Sequence, residues 1–168
     1  MTDPWSELQD LTRELQASIV LLLEKRRIRT ALMLILASVD ILGALESAGG
    51  QASRASFLDW ADVYIDPPSS LLCESLDLYG ARCGMLHAMA AESGLSVQGH
   101  AAKIVWLTEP NTLPEPSPDP RTRFVAVGAL WVAFRDGVSR FAAELKEDPT
   151  RMAVVEKNLG GTYATRLS

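Results

Sequence analysis

Arg82 and His87 enclose the four residues Cys83-Gly84-Met85-Leu86, in a segment whose pattern reads as helix. A guanidinium carries a permanent charge in a planar fork that suits phosphate, and an imidazole titrates near neutrality. Such a pair could cleave RNA without a metal ion. The imidazole would take the proton of a 2′-hydroxyl while the guanidinium stabilises the crowded phosphorus centre. On a straight helix, at about 100° per residue, the two side chains point roughly 140° apart. One working site then needs the long Arg82 side chain to reach around, a distortion near Gly84, or a pair formed across two subunits. A structural histidine, hydrogen-bonded in a crowded contact, fits His87 as well.

Cys83 shares a helix face with His87, so a thiolate–imidazole pair or half a metal site is conceivable. A zinc site needs more ligands, and Cys73 and His100 are the remaining soft candidates. Cysteine is more often a small buried hydrophobe. We therefore assign no metal and no cofactor. The sequence carries no phosphate loop, nucleotide-binding fingerprint or serine triad.

The element that carries these residues should run from about Ser70 to Ala91. Gly80, Gly84 and Ala88 recur every four residues on one face, which suggests a tight helix–helix contact, for example a dimer seam. A preceding helix, from about Arg29 to Ser47, is apolar on nearly every face and belongs at the centre of a bundle or in an interface. Asp40 is its anomaly. A carboxylate among such residues must be hydrogen-bonded or paired, and a group on the motif helix is expected, Arg82 or Tyr79 foremost. It could orient Arg82 or His87 as a supporting acid, cap a neighbouring helix, or meet solvent at a seam.

The segment Asp77-Leu78-Tyr79-Gly80-Ala81-Arg82-Cys83-Gly84-Met85-Leu86-His87 resembles the R-x4-6-H motif of the HEPN superfamily. More closely, it is similar to a bacterial HEPN-like group marked by an aromatic, a short gap, and Arg-Cys-Gly before His. The resemblance covers the helices around Leu32 to Ala91 best. It implies a helical dimer, phosphate contact at Arg82 and acid–base work at His87; Asp40, Tyr79 and Cys83 are the supporting candidates beside them. Many active members place Asn, Asp or His directly after the Arg; here that place is Cys83. Two functions follow as expectations. One is a protein that acts on or binds RNA or nucleotides, as a metal-independent endoribonuclease in a toxin or defence setting, with an antitoxin or other protein as partner. The other is a catalytically inert HEPN-like dimer that binds a protein or small ligand.

Other elements frame this pair. Asp3-Pro4 is a sound helix start, and Leu8, Leu11, Leu15, Ile19 and Leu22 make an amphipathic helix of about twenty residues. Lys25-Arg26-Arg27 ends it, as cations near a helix carboxyl end or as a solvated turn. Ser53 or Ser56 should cap a short helix to about Ile65, ended by Pro67-Pro68. Lys103 to Thr108 and Arg123 to Val127 are short, apolar and partly β-branched. Between them lies a stretch with five of the nine prolines, which reads as a loop. We expect an antiparallel hairpin at about 102–127. Gly128 leads into an amphipathic helix through Leu145, and Asp148-Pro149 starts a last one through about Asn158. The fold class is mainly α: a bundle of four or more helices with a small antiparallel β-hairpin, in a single domain over residues 1–168.

At 168 residues and 48% hydrophobic composition, the chain can bury a self-sufficient core. Its net charge of −5 argues against non-specific nucleic-acid binding, which relies on Lys and Arg. Asp59, Asp62, Asp66, Glu74 and Asp77 precede Arg82 without an intervening Lys or Arg from Phe57 onward. The start lacks the features of a secretory leader, the apolar stretch from Ala31 to Leu45 is too short to span a bilayer, and Cys73 and Cys83, placed in one helix, would stand about 15 Å apart. These readings point to reduced thiols, no membrane and the cytoplasm.

Overall fold

The computed structural model describes residues 3–88, 93–109 and 116–162. The chain is mainly α, with one small two-stranded sheet. Helix α1 spans Pro4–Glu24, with the Asp3 side chain accepting from the backbone N–H of Trp5. Its end is a solvated turn in which Arg26 takes a left-handed conformation, φ 54°. Helix α2, Ile28–Glu46, is the centre of the bundle. By length and composition it could cross a membrane. Here Leu32, Ile35, Leu36, Val39 and Leu42 are buried against α1 and the elements that follow.

Helix α3, Arg54–Trp60, begins with a reciprocal cap between Ser53 and Ser56. It widens directly into a π-helical turn, Ala61–Ile65. Two features of helix α7, Val127–Glu147, accommodate that turn. Gly137 lets the Tyr64 carbonyl approach: a Cβ there would sit 2.4 Å from the oxygen. Arg140 donates to the carbonyl oxygens of Tyr64 and Val63 at 2.7 and 3.2 Å. Loosened carbonyls thus keep their partners.

Pro67-Pro68 does more than end the preceding helix. Pro67 opens a short helical turn, α4 (Pro67–Ser70), where a missing N–H costs nothing. The chain then reverses through Leu72 at φ 56°. This break turns Leu71 and Cys73 into the core and leaves Leu72 exposed. The motif helix α5 therefore spans Ser75–Ala88 and does not start at Ser70. Cys73 lies outside it, so the helical spacing expected between Cys73 and Cys83 does not apply; both are free thiols. The helix end expected near Ala91 lies outside the described residues.

After the short helix α6, Gly94–Val97, come β1, Lys103–Leu107, and β2, Thr122–Ala126. They pair in parallel, Lys103 opposite Thr122 and Leu107 opposite Ala126, and so are not an antiparallel hairpin. The reason is the connection. Hairpin strands are joined by a few residues, whereas parallel strands need a crossover of about a dozen or more. Residues 108–121 are long enough to carry the chain back to the start of β1. An isolated strand pair is marginal in water. This one packs on α5 and α7, with Ile104 and Val125 in the core. Helix α8, Pro149–Thr162, closes the bundle against α2, its first turn capped by Asp148.

Candidate functional site

Asp40 and Arg82 meet. The Arg82 Nε donates to Asp40 Oδ2 at 2.5 Å, joining the centre of α2 to the third turn of α5. Their side chains are 9% and 20% exposed, so the pair is screened from bulk water on most sides. The acid in the apolar helix thus has the partner its position requires. Burial disfavours the charged guanidinium, but the hydrogen bond and charge of Asp40 outweigh it and raise the Arg82 pKa above its usual value.

Tyr79 completes this cluster. Its ring lies 5.8 Å from the Arg82 guanidinium carbon and meets Phe57 edge-on at 5.3 Å. Burial, with the neighbouring Cys83 thiol, raises the Tyr79 phenol pKa. Cys83 is half-buried beside them. The structure therefore brings Asp40, Tyr79, Arg82 and Cys83 together. The His87 side chain lies outside the described residues. His100 is exposed and Cys73 buried, and no group of three or more metal-ligating side chains gathers among the described residues.

On the small-residue face of α5, Gly80 has a partner inside the chain. A Cβ on Gly80 would meet Ala101 at 3.2 Å and the Ser93 hydroxyl at 3.4 Å. At Gly80 the contact is with the segment that flanks α6.

The acidic run ahead of Arg82 is partly consumed by the fold. Asp77, 5% exposed at its side chain, accepts from the backbone N–H of Glu74 at 3.0 Å and of Ala102 at 2.5 Å. It also faces Arg123 Nε at 3.5 Å. One carboxylate thus caps α5 and fixes both strands to it. Asp62 accepts from the Ser75 hydroxyl. Nearby, Cys73 is pushed up to a pKa of about 12 by burial, so its thiol stays protonated.

A second polar constellation was not foreseen from sequence. Arg151 on α8 donates through Nε to Glu46 at 2.9 Å and through Nη1 to Glu144 at 3.2 Å, and Nη2 reaches Glu46 and the Tyr64 hydroxyl. Tyr64 in turn donates to Glu144 at 2.8 Å. Burial is the main reason its phenol is pushed up to about 12, while Tyr64 and Arg151 hold the Glu144 carboxyl below its usual value. This network lines a cleft of about 550 Å³ between α2, α3 and the C-terminal helices. The available signal was the pair Trp60 and Tyr64, one helical turn apart and so on one face.

The chain matches no family model, no curated protein and no solved structure.

Proposed function

We propose that this chain is a HEPN-like helical module that works by binding a protein or small ligand rather than by cleaving RNA. The observation that carries this reading is the state of Arg82. An arginine that stabilises a phosphate transition state must offer its charge to the substrate. Here a carboxylate at 2.5 Å already balances that charge, and four-fifths of the side chain is covered. Tyr79 and Phe57 pack the same place as hydrophobic structure does. The net charge of −5 adds no attraction for a polyanion. Homodimerisation, implied by the resemblance, belongs to the same proposal.

The endoribonuclease reading keeps one supporting observation. Asp40 fixes the orientation of Arg82, as a supporting acid in an active site would. The direct test is incubation of purified protein with varied RNAs in chelator, next to Arg82→Ala, with light scattering on both. The binding reading expects identical background cleavage from the two. Metal-independent cleavage that leaves cyclic-phosphate ends, lost in Arg82→Ala and His87→Ala, would overturn it and restore the nuclease.

A further inference from the structure

We infer that the turn between α1 and α2 is a docking surface for an anionic lipid bilayer. It stands apart from the Arg82 cluster and goes beyond the binding reading given above. Lys25, Arg26, Arg27 and Arg29 hold a quarter of the chain's 16 basic residues within five positions, and all four are exposed. Against them stands one acid, Glu24, in the whole stretch from Leu15 to Val39. A chain of net charge −5 thus concentrates positive charge at one end of its first helix pair.

The fold leaves these charges unused. The last carbonyls of α1 are satisfied by backbone: the N–H groups of Lys25, Arg26 and Arg27 donate to Leu21, Leu23 and Leu22 at 3.0, 3.0 and 2.8 Å. The four side chains make no hydrogen bond or ion pair among the described residues. The same turn opens α2, whose positive end repels the cations that the end of α1 attracts. Arg26 also stands at φ 54°, where glycine would form the turn with less strain.

Two observations select a bilayer over a nucleic acid. Leu21 and Val20 are 54% and 37% exposed, and Leu21 lies one helical turn beneath Lys25 on the same face. Apolar side chains beside a cluster of cations match the boundary between anionic headgroups and acyl chains. Single-stranded nucleic acid is held by aromatic stacking as well as by charge, and no aromatic residue lies between Trp5 and Phe57. A flat surface meets only the tip, and salt screens acids more than about 10 Å away. The contact is peripheral: it leaves the buried face of α2 inside the bundle.

The experiment is co-sedimentation of the full chain with vesicles at graded lipid concentration. One set is phosphatidylcholine alone, and the other has phosphatidylserine as a third of the lipid. Binding is expected to the phosphatidylserine set only, and high salt should release it. Arg26→Gln/Arg27→Gln should weaken binding by about thirtyfold, since each cation near an anionic surface contributes about fivefold. Arg26→Gly removes one charge and the strain together, so binding should fall about fivefold while the melting midpoint is kept or raised. Leu21→Ala should lose binding several-fold through lost apolar contact. Arg13 is paired with Asp10 and lies about 18 Å back along α1, so Arg13→Gln should bind as the wild type does. Equal binding to both vesicle sets, binding to neither, unchanged affinity in Arg26→Gln/Arg27→Gln, or tighter capture of single-stranded RNA than of vesicles would each overturn the proposal.

Discussion

The Asp40 carboxylate on α2 holds the Arg82 guanidinium on α5 at 2.5 Å, across a separation of 42 residues in sequence. This pair ties the motif helix to the most buried helix of the bundle. Its role in stability can be measured apart from any role in chemistry.

Asp40→Ala should destabilise the fold by about 1–3 kcal/mol, between the values for exposed and fully buried pairs. Arg82→Ala should cost a similar amount. The double variant should cost less than the sum, because each single change strands one charge in a half-buried place. Urea denaturation of the four proteins checks this. Additive losses would mean that the two groups do not interact.

Close backbone contacts make a second expectation. A Cβ at Gly43 would lie 2.3 Å from the Ser56 carbonyl oxygen, so Gly43→Ala should destabilise by about 1–3 kcal/mol. Gly128, in the first turn of α7, has nothing within 4 Å of its Cβ position. Gly128→Ala should therefore be neutral or stabilising, by up to about 1 kcal/mol. Thermal melts should show a lowered midpoint for Gly43→Ala and an unchanged or raised one for Gly128→Ala.

Tyrosine ionisation gives the pH dependence. Tyr64 has a pKa near 12 in the fold against 10.0 when exposed. A raised value means that its contribution is complete below pH 10 and is lost as the pH rises toward 12. Absorbance at the tyrosinate band should show Tyr64 ionising late, with Tyr79 also raised. Tyr64→Phe should remove the late step and flatten the stability loss over that window.

Thiol labelling offers a fourth check. Cys73 is buried, with its pKa pushed up to about 12, and thiol reagents attack the thiolate. In native protein near neutral pH, Cys73 should resist a disulfide-exchange reagent and react only on unfolding. Peptide mapping after a timed labelling would show it, and fast native modification of Cys73 would contradict the packing described.

The sequence made α1 and α2 legible because a cap and a periodic apolar stripe act locally. Asp40 was legible for a related reason: a lone acid in an apolar helix must have a partner, and few cations lay nearby in the fold. The start of α5 was not. Leu71 and Cys73 continue an apolar pattern that a helix would also show, while the reversal at Leu72 depends on tertiary packing. Strand direction was hidden too, since the apolar runs are the same in either orientation and only the path of the loop decides. The cluster of Tyr64, Glu144, Arg151 and Glu46 comes from four separate elements. No local pattern records how α7 and α8 dock on the π-helical turn.

The parallel pairing of β1 and β2 has a kinetic corollary. A hairpin can zip from its turn, with each rung placing the next. These strands cannot, because their first rung already requires closure of the long connection between them, and that entropy is lost before any pairing rewards it. Asp77 supplies the missing template. Once α5 has formed, this carboxylate presents fixed acceptor positions to Ala102 and Arg123 at the mouths of the two strands. The ladder should then assemble late, onto a bundle that already stands, and its amides should be the last among the described elements to gain protection during refolding.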